Sequence, residues 1–457
     1  MSSITLQTMT TDHPSALPCA MRKNRRLFFA LSFLAVVGAV LPLWLLPIDF
    51  MDGRRMDFAM STGLFQGEHS RLFESRWQLE YFMFAGIKYL NKLSSIPYRV
   101  FYHVIATSAI AGIAIEVGLS ALRVCRMQRP YALLAAFLAA TYPTWAALAN
   151  SDNLIRAVCV WFMLLGYRLV CSRKFPVQLA GVLFLLLSFQ YNPNFLFVGG
   201  LAITDNLLEF IQRESLPLRA WHRTVALVVL PILLFAALTH YAKPYGLYEK
   251  YTQFSIAHGV LAYIPCLPVS IIIAVLCERL AALLRQRRFT ARFIFLIPLM
   301  LCAGSTLRLY NTYGPMAERA AIEVAIIDSL KNNPDAEPTA GMVYLYYEDL
   351  NEIKIEPYEA NWLMWKAYNK KPWLSQMGNT APSQQGLDLP ENIHDIMDNK
   401  NIDHAIDELL PKRINLHCQS IIVVKGMPYQ TWMAWKWLTG LAPQPTLQSN
   451  LTVTRCG

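Results

Sequence analysis

Residues 22–48, RKNRRLFFALSFLAVVGAVLPLWLLPI, decide the fold. Arg22, Lys23, Arg25 and Arg26 precede an apolar run from Leu27 to Ile48. A secretory signal has an apolar core of about 7–15 residues and a small-x-small cleavage site. This run is longer, its end from Trp44 to Ile48 is bulky, and no such site follows. A bilayer span takes about 20 apolar residues, and the run has that length. It is read as a retained first transmembrane helix, with residues 1–26 as a cytoplasmic tail.

The same criterion, applied along the chain, gives runs at 27–48, 98–122, 131–149, 154–171, 176–190, 194–211, 223–240, 260–281 and 291–309. Two of them flank the tight turn Tyr191-Asn192-Pro193-Asn194 and read as a helical hairpin. Composition agrees. The 457 residues are 54% hydrophobic and 16% charged, against about 25% charged in soluble domains. The net charge of +10 does not point to nucleic acid, because the basic residues sit in small clusters between apolar runs. Arg123/Arg126/Arg129, Arg173/Lys174, Arg213/Arg219/Arg223 and Arg285/Arg287/Arg288/Arg292 occupy alternate loops, while the short loops near 150–153 and 190–194 have no Lys or Arg. Positive charge stays on the cytoplasmic side. The alternation predicts about nine spans, a cytoplasmic N-terminus and an outer C-terminus. Residues 79–97, with Phe82, Phe84, Ile87 and Leu90 beside Lys88 and Lys92, read as an amphipathic helix at the outer interface.

The organisation is therefore a tail at 1–26, a membrane region at 27–310 with an outer loop at 49–97, and an outer α/β domain at 311–457. In the last, 317–331 and 358–370 read as helices, as does 401–410, with strands at 341–347 and 420–424. Six cysteines lie in or near spans, where Cys behaves as a small hydrophobe. Cys418 and Cys456 fall in the outer part, where an oxidising compartment favours a disulfide. No metal spacing, phosphate loop or nucleophile elbow occurs, and no cofactor is expected. Trp432, Trp435 and Trp437 read as a helix packed on the domain or at the interface, ahead of a platform for sugar rings.

The first outer loop carries the chemistry. It holds Asp49, Asp52, Arg54, Arg55 and Asp57, then Glu74, Arg76 and Trp77. A carboxylate here can take a proton from an attacking hydroxyl. Arg binds phosphate bidentately. Acid plus Arg at a membrane surface suits a lipid-phosphate substrate. The plainer alternative is a solvated loop with exposed ion pairs of little energetic weight. Other polar groups flank the spans. Asn150, Asp152 and Arg156 open the fourth run, where Asp152 and Arg156 stand at the spacing of a helix ion pair or serve phosphate binding. Gln190 and Tyr191 satisfy a turn or line an acceptor groove. Lys243 and Lys250, among Tyr245, Tyr248 and Tyr251, anchor the interface or hold a lipid phosphate. Glu116, within the second run, is expected to pair locally. His69, His103 and His258 read as structural.

The plan resembles the membrane glycosyltransferases with the GT-C fold, and within them the bacterial serotype-converting O-antigen glucosyltransferases. Those have about nine spans, an outer C-terminal domain, and a paired-acid pattern in the first outer loop followed by a Gly-Arg-aromatic stretch. This chain has Asp52-Gly53-Arg54-Arg55 with Asp49 three residues earlier, Glu74-Ser75-Arg76-Trp77, and Gln190-Tyr191 before the hairpin turn. The resemblance implies an inverting hexosyltransferase of the bacterial inner membrane. Its donor would be undecaprenyl-phosphate glucose and its acceptor O-antigen polysaccharide. Asp52 would be the base, with Asp49 and Asp57 as alternates, and Arg55 and Arg76 would contact phosphate or acceptor. A flippase and a lipid-glucose synthase would supply the donor. Rival readings are an O-antigen polymerase or ligase, and a transporter.

Overall fold

The computed structural model describes residues 19–47, 78–123, 125–172, 174–189, 194, 197–198, 266–286, 291–334, 337, 342–348, 357–369, 374–378, 418–425, 431–443 and 452–454. The helices are α1 (Cys19–Leu45), α2 (Gln78–Ser94), α3 (Tyr98–Arg123), α4 (Arg129–Ala140), α5 (Leu154–Val170), α6 (Phe175–Ser188), α7 (Cys266–Gln286), α8 (Ala291–Lys331), α9 (Pro357–Tyr368) and α10 (Thr431–Leu438). The expected spans 194–211 and 223–240, the loop at 241–259 and the helix at 401–410 lie outside the described residues, apart from Asn194, Phe197 and Val198.

Among the described residues, three stretches are long and apolar enough to cross a membrane: Tyr98–Leu122, Arg129–Ala149 and Cys266–Arg285. Their surroundings are compatible with one. Large apolar side chains stand exposed along single helix faces, as Val269, Ile272, Leu276, Leu280 and Leu283 on α7 and Phe175, Leu179 and Leu183 on α6. Soluble monomers rarely expose contiguous apolar surface on this scale. The opposite faces pack on small residues, which let backbones approach. Ala106, Ala109 and Ala114 of α3 and Ala132, Ala135 and Ala139 of α4 are buried in one core. A Cβ on Gly112 would stand 2.1 Å from the Trp161 indole nitrogen of α5, and one on Gly181 of α6 would stand 2.6 Å from the Val170 amide.

Pro42 in α1 and Pro143 after α4 each interrupt the helical bonding, and both interruptions are repaired by side chains. Proline lacks the amide that would bond the carbonyl four residues earlier. Pro42 thus orphans the Gly38 carbonyl, which accepts from the Tyr310 hydroxyl at 2.9 Å. Pro143 orphans the Ala139 carbonyl, which accepts from the Trp145 indole at 2.7 Å. The run 131–149, expected as one helix, is therefore split. α4 stops at Ala140, Tyr142 is extended (φ −65°, ψ 129°), and Pro143–Ala149 continues as a 3-10 helix. A residue before proline is pushed out of the helical region. The Thr141 and Ser305 hydroxyls meet across the break at 2.8 Å.

Glu116 does not pair locally. Its carboxylate on α3 takes two bonds from Arg168 on α5, Nε at 2.6 Å and Nη2 at 2.8 Å. At the same end, Glu278 of α7 accepts the Gln128 amide at the start of α4.

The last span and the first helix of the C-terminal part, expected as 291–309 and 317–331, form one helix of 41 residues. The boundary at 310/311 thus falls inside α8. Pro315 is tolerated because the carbonyl it orphans, at Asn311, belongs to an exposed turn. α9 then folds back on α8 with Trp362, Leu363 and Met364 buried. The Tyr368 hydroxyl donates to the Leu330 and Asn333 carbonyls at 2.7 and 3.0 Å, satisfying the end of α8. Burial, and then Glu337, push that hydroxyl above its ordinary pKa.

β1 (Met342–Glu348), β2 (Leu374–Gly378), β3 (Cys418–Lys425) and β4 (Thr452–Thr454) form one sheet in the order β2-β1-β3-β4. β1 is parallel to β2 and β3, and β4 is antiparallel to β3. The strands expected at 341–347 and 420–424 correspond to β1 and β3, both rich in aromatic and β-branched residues. The register sets Thr454 opposite Ile421, three residues from Cys418. The side chain of Cys418 and the whole of Cys456 lie outside the described residues.

Candidate functional site

Four chain segments converge at the end of the bundle from which α8 leaves for the sheet. The first is the end of α1. Arg99, in the first turn of α3, donates Nη2 to the Leu46 carbonyl, which follows the last helical residue. Its Nε points at His103 Nε2 at 3.5 Å, long for such a bond. Trp44 meets His103 with the rings tilted by 59° and centroids 4.9 Å apart, and donates to Thr107 at 3.1 Å.

The second and third are α3 and the turn between the broken α4 run and α5. The Tyr102 hydroxyl donates to the Leu148 carbonyl and lies 3.4 Å from that of Asn150. The turn is folded on itself: Asn153 donates to the Ala147 carbonyl at 2.9 Å, and its amide to that of Asn150 at 3.1 Å. Trp145, Ser151 and Leu154 are fully buried and Asn150 nearly so. The fourth is α8, where the buried Tyr313 hydroxyl donates to the Trp145 carbonyl at 3.1 Å. Arg308 stands exposed five residues earlier, within electrostatic reach of Tyr142 at the helix break.

Of the residues singled out from the sequence, Arg156 is half-buried on the first turns of α5, at this end. Asp152 sits in the 3-10 turn Ser151–Asn153, but its side chain is outside the described residues. Asp49, Asp52, Asp57, Arg55, Glu74, Arg76, Gln190, Tyr191 and Lys243 also lie outside them. Asn194, at the end of the hairpin turn, is buried; its Nδ2 donates to the Ser188 carbonyl at 3.0 Å, and its Oδ1 has no partner among the described residues. The same residues hold no group of three or more His, Cys, Asp and Glu able to bind a metal.

Sequence reasoning missed Arg99, Tyr102 and Arg308. Their signal was present: ionisable groups at the edge of an apolar run are functional or structural by necessity, and Arg99, Tyr102 and His103 recur at helical spacing. Among the described residues, Arg99 holds the Leu46 carbonyl and Tyr102 those of Leu148 and Asn150. They act as a clamp that fixes where the chain departs into the first long loop. Arg156 and Arg308 supply positive charge around that clamp.

No protein-family model matches the chain, no curated protein matches it, and no solved structure matches its fold.

Proposed function

We propose that this chain is an inverting glycosyltransferase that moves a single hexose from a polyprenyl-phosphate donor to a surface polysaccharide. The finer architecture belongs to this reading: about nine spans in a bacterial inner membrane, a cytoplasmic N-terminus, and a periplasmic C-terminal α/β domain. The observation that supports it is the fixed end of α1, the point in the sequence from which the acid-rich loop follows. The acids and arginines of that loop follow α1 in the sequence, and the Leu46 carbonyl just past α1 accepts a bond from Arg99 of α3. Non-helical backbone within membrane-spanning segments is tolerated where protein buries it or a cavity needs it, and broken helices mark binding sites in several transporter folds.

In the proposed reaction Asp52, with Asp49 or Asp57 as alternates, takes the proton of the acceptor hydroxyl. The hydroxyl oxygen forms a bond to the anomeric carbon as the bond from that carbon to the phosphate oxygen breaks. Polyprenyl phosphate leaves with the electron pair, and the configuration inverts. Arg55, Arg76 and Arg156 neutralise phosphate charge, which is worth most where water is excluded. Glucose is the proposed sugar. A flippase and a lipid-glucose synthase are the required partners.

The test is sugar analysis and NMR of surface polysaccharide from cells with and without the gene. A stoichiometric side-branch hexose that depends on the gene and is lost in Asp52→Asn, at unchanged protein level, supports the reading. A change in chain length alone replaces it with a polymerase, and an unaltered glycan removes it.

A further inference from the structure

The C-terminal part returns to the membrane region through α10. One face of it packs on the bundle, with Trp437 at its edge also against the core. Thr431, Ala434, Trp435 and Leu438, at the spacing of one helix face, are turned to the bundle: Ala434 is fully buried, and Trp435 and Leu438 pack against the main core. Thr431 donates to Glu318 of α8 and its methyl meets Gly314. Trp435 stacks on Tyr310 with centroids 5.8 Å apart. As α10 advances from 431 to 435, its contacts thus step back along α8 from 318 to 310. The two helices are antiparallel, and α10 descends from the sheet along the bundle.

The depth follows from Tyr310. Its hydroxyl reaches Gly38, seven residues before the end of α1, or roughly 10 Å along a helix at about 1.5 Å per residue. α10 then ends deeper still. Gly440 adopts φ +73°, its amide bonds the Trp437 carbonyl at 2.9 Å, and the Leu441 amide bonds that of Lys436 at 2.7 Å. This pair of bonds is the left-handed glycine cap, which turns the chain back toward β4.

The other face is apolar and open. Trp432 is 53% exposed, Met433 is also exposed, and Leu441 at the deep tip is 78% exposed. Lys436 lies over the Trp432 ring at 4.5 Å. Trp beside Lys, with apolar side chains below, is the composition of membrane interfaces. On α8, Leu307, one turn before Tyr310, is exposed as well.

We infer that α10 and its glycine cap form a lipid-docking element: Trp432, Met433 and Leu441 insert among acyl chains of the leaflet on the sheet side, and Lys436 meets lipid phosphate. It rests on the membrane reading of α3, α4 and α7, independently of the transferase. Its consequence is that the C-terminal sheet is moored at the surface by a re-entrant helix as well as by α8.

The test is photocrosslinking of the full chain in nanodiscs of phosphatidylethanolamine and phosphatidylglycerol. Trp432, Leu441 and, as a control on the exposed face of α7, Leu276 are each replaced by p-benzoylphenylalanine, and adducts are identified by mass spectrometry. Lipid adducts at 432 and 441 in yield comparable to 276 are expected. Adducts at 276 with none at 432 and 441, or crosslinks there to protein only, overturn the inference alone. Absence of lipid at all three overturns the membrane reading with it. A second measurement needs no unnatural residue: brominated lipid quenches Trp fluorescence, and the quenched fraction should fall in Trp432→Phe. An unchanged fraction counts against the docking.

Discussion

Truncating Arg168 should cost more than truncating its partner Glu116. The two side chains form a two-bond pair, at 2.6 and 2.8 Å, between helices whose partners are 52 residues apart. Bonds to a charged group contribute about 1.5–3 kcal/mol each. Removing one member of a buried pair costs about 3–5 kcal/mol, because a charge is left without compensation. The two ends of this pair are not equally buried. The Glu116 side chain is 6% exposed and that of Arg168 38%. Arg168→Met therefore strands a buried carboxylate and should cost about 3–4 kcal/mol, near the full figure. Glu116→Gln leaves a cation that is already partly exposed, two residues from the end of α5. A long Arg can swing to the surface and keep its charge solvated, so this change should cost about 1–2 kcal/mol once exposure is discounted.

The assay is reversible unfolding by sodium dodecyl sulfate in mixed micelles, on both single variants and the double. The double variant removes the stranded charge, so its cost should fall below the sum of the singles by at least about 1 kcal/mol, as for any coupled pair. Equal costs for the singles, or strict additivity, would refute the argument, since either would mean that the carboxylate is not held by Arg168.

Three further outcomes follow from single contacts. Gly112→Ala places a methyl in the Trp161 indole and should cost about 1–3 kcal/mol by overpacking; Trp161→Leu in the same chain should recover part of the loss in the same unfolding assay. Tyr310→Phe leaves the Gly38 carbonyl without a donor and should cost about 1–3 kcal/mol, but far less in a Pro42→Ala background, where the restored amide takes its place. Tyr368 holds its proton more tightly when folded, so its contribution is fully present below the ordinary tyrosine pKa of about 10 and is lost as pH rises above it. Thermal melts should therefore fall more steeply above pH 10 in the parent than in Tyr368→Phe, and parallel slopes would show that this hydroxyl is not responsible.

The legible part of the fold was whatever depends on local composition. Apolar runs at 98–122 and 260–281 declare themselves because burying or lipid-exposing 20 residues needs nothing from elsewhere in the chain. The strands β1 and β3 are visible for the same reason, as unbroken aromatic and β-branched stretches. β2 and β4 were missed: Leu374–Gly378 and Thr452–Thr454 are short and become strands only by pairing with β1 and β3. The partner of Glu116 was equally hidden, since nothing local marks Arg168. The split at Tyr142 was readable, because Pro143 demands it, but a hydropathy run passes through proline unmarked. At the site, the first-loop acids stand out by charge alone, whereas Arg99 and Tyr102 matter through the carbonyls they hold.

The breaks are more than local accidents. Pro42 and Pro143 each remove an amide in a region where an unsatisfied carbonyl costs several kcal/mol, so each needs a donor from a side chain. For Pro42 that donor is Tyr310, and across the Pro143 break α8 also supplies Ser305 and Tyr313. Residues 305, 310 and 313 thus bind α1 and the split run to one helix, and that same helix continues to the sheet and carries α10. Any displacement of α8 must disturb the bonds it gives to Gly38 of α1 and to Trp145 in the run before α5. The sheet-bearing helix, the proline breaks and α1 are therefore mechanically one unit, and a substitution that frees α8 from α1, Tyr310→Phe first among them, should loosen α1 around Gly38, read as faster hydrogen exchange there.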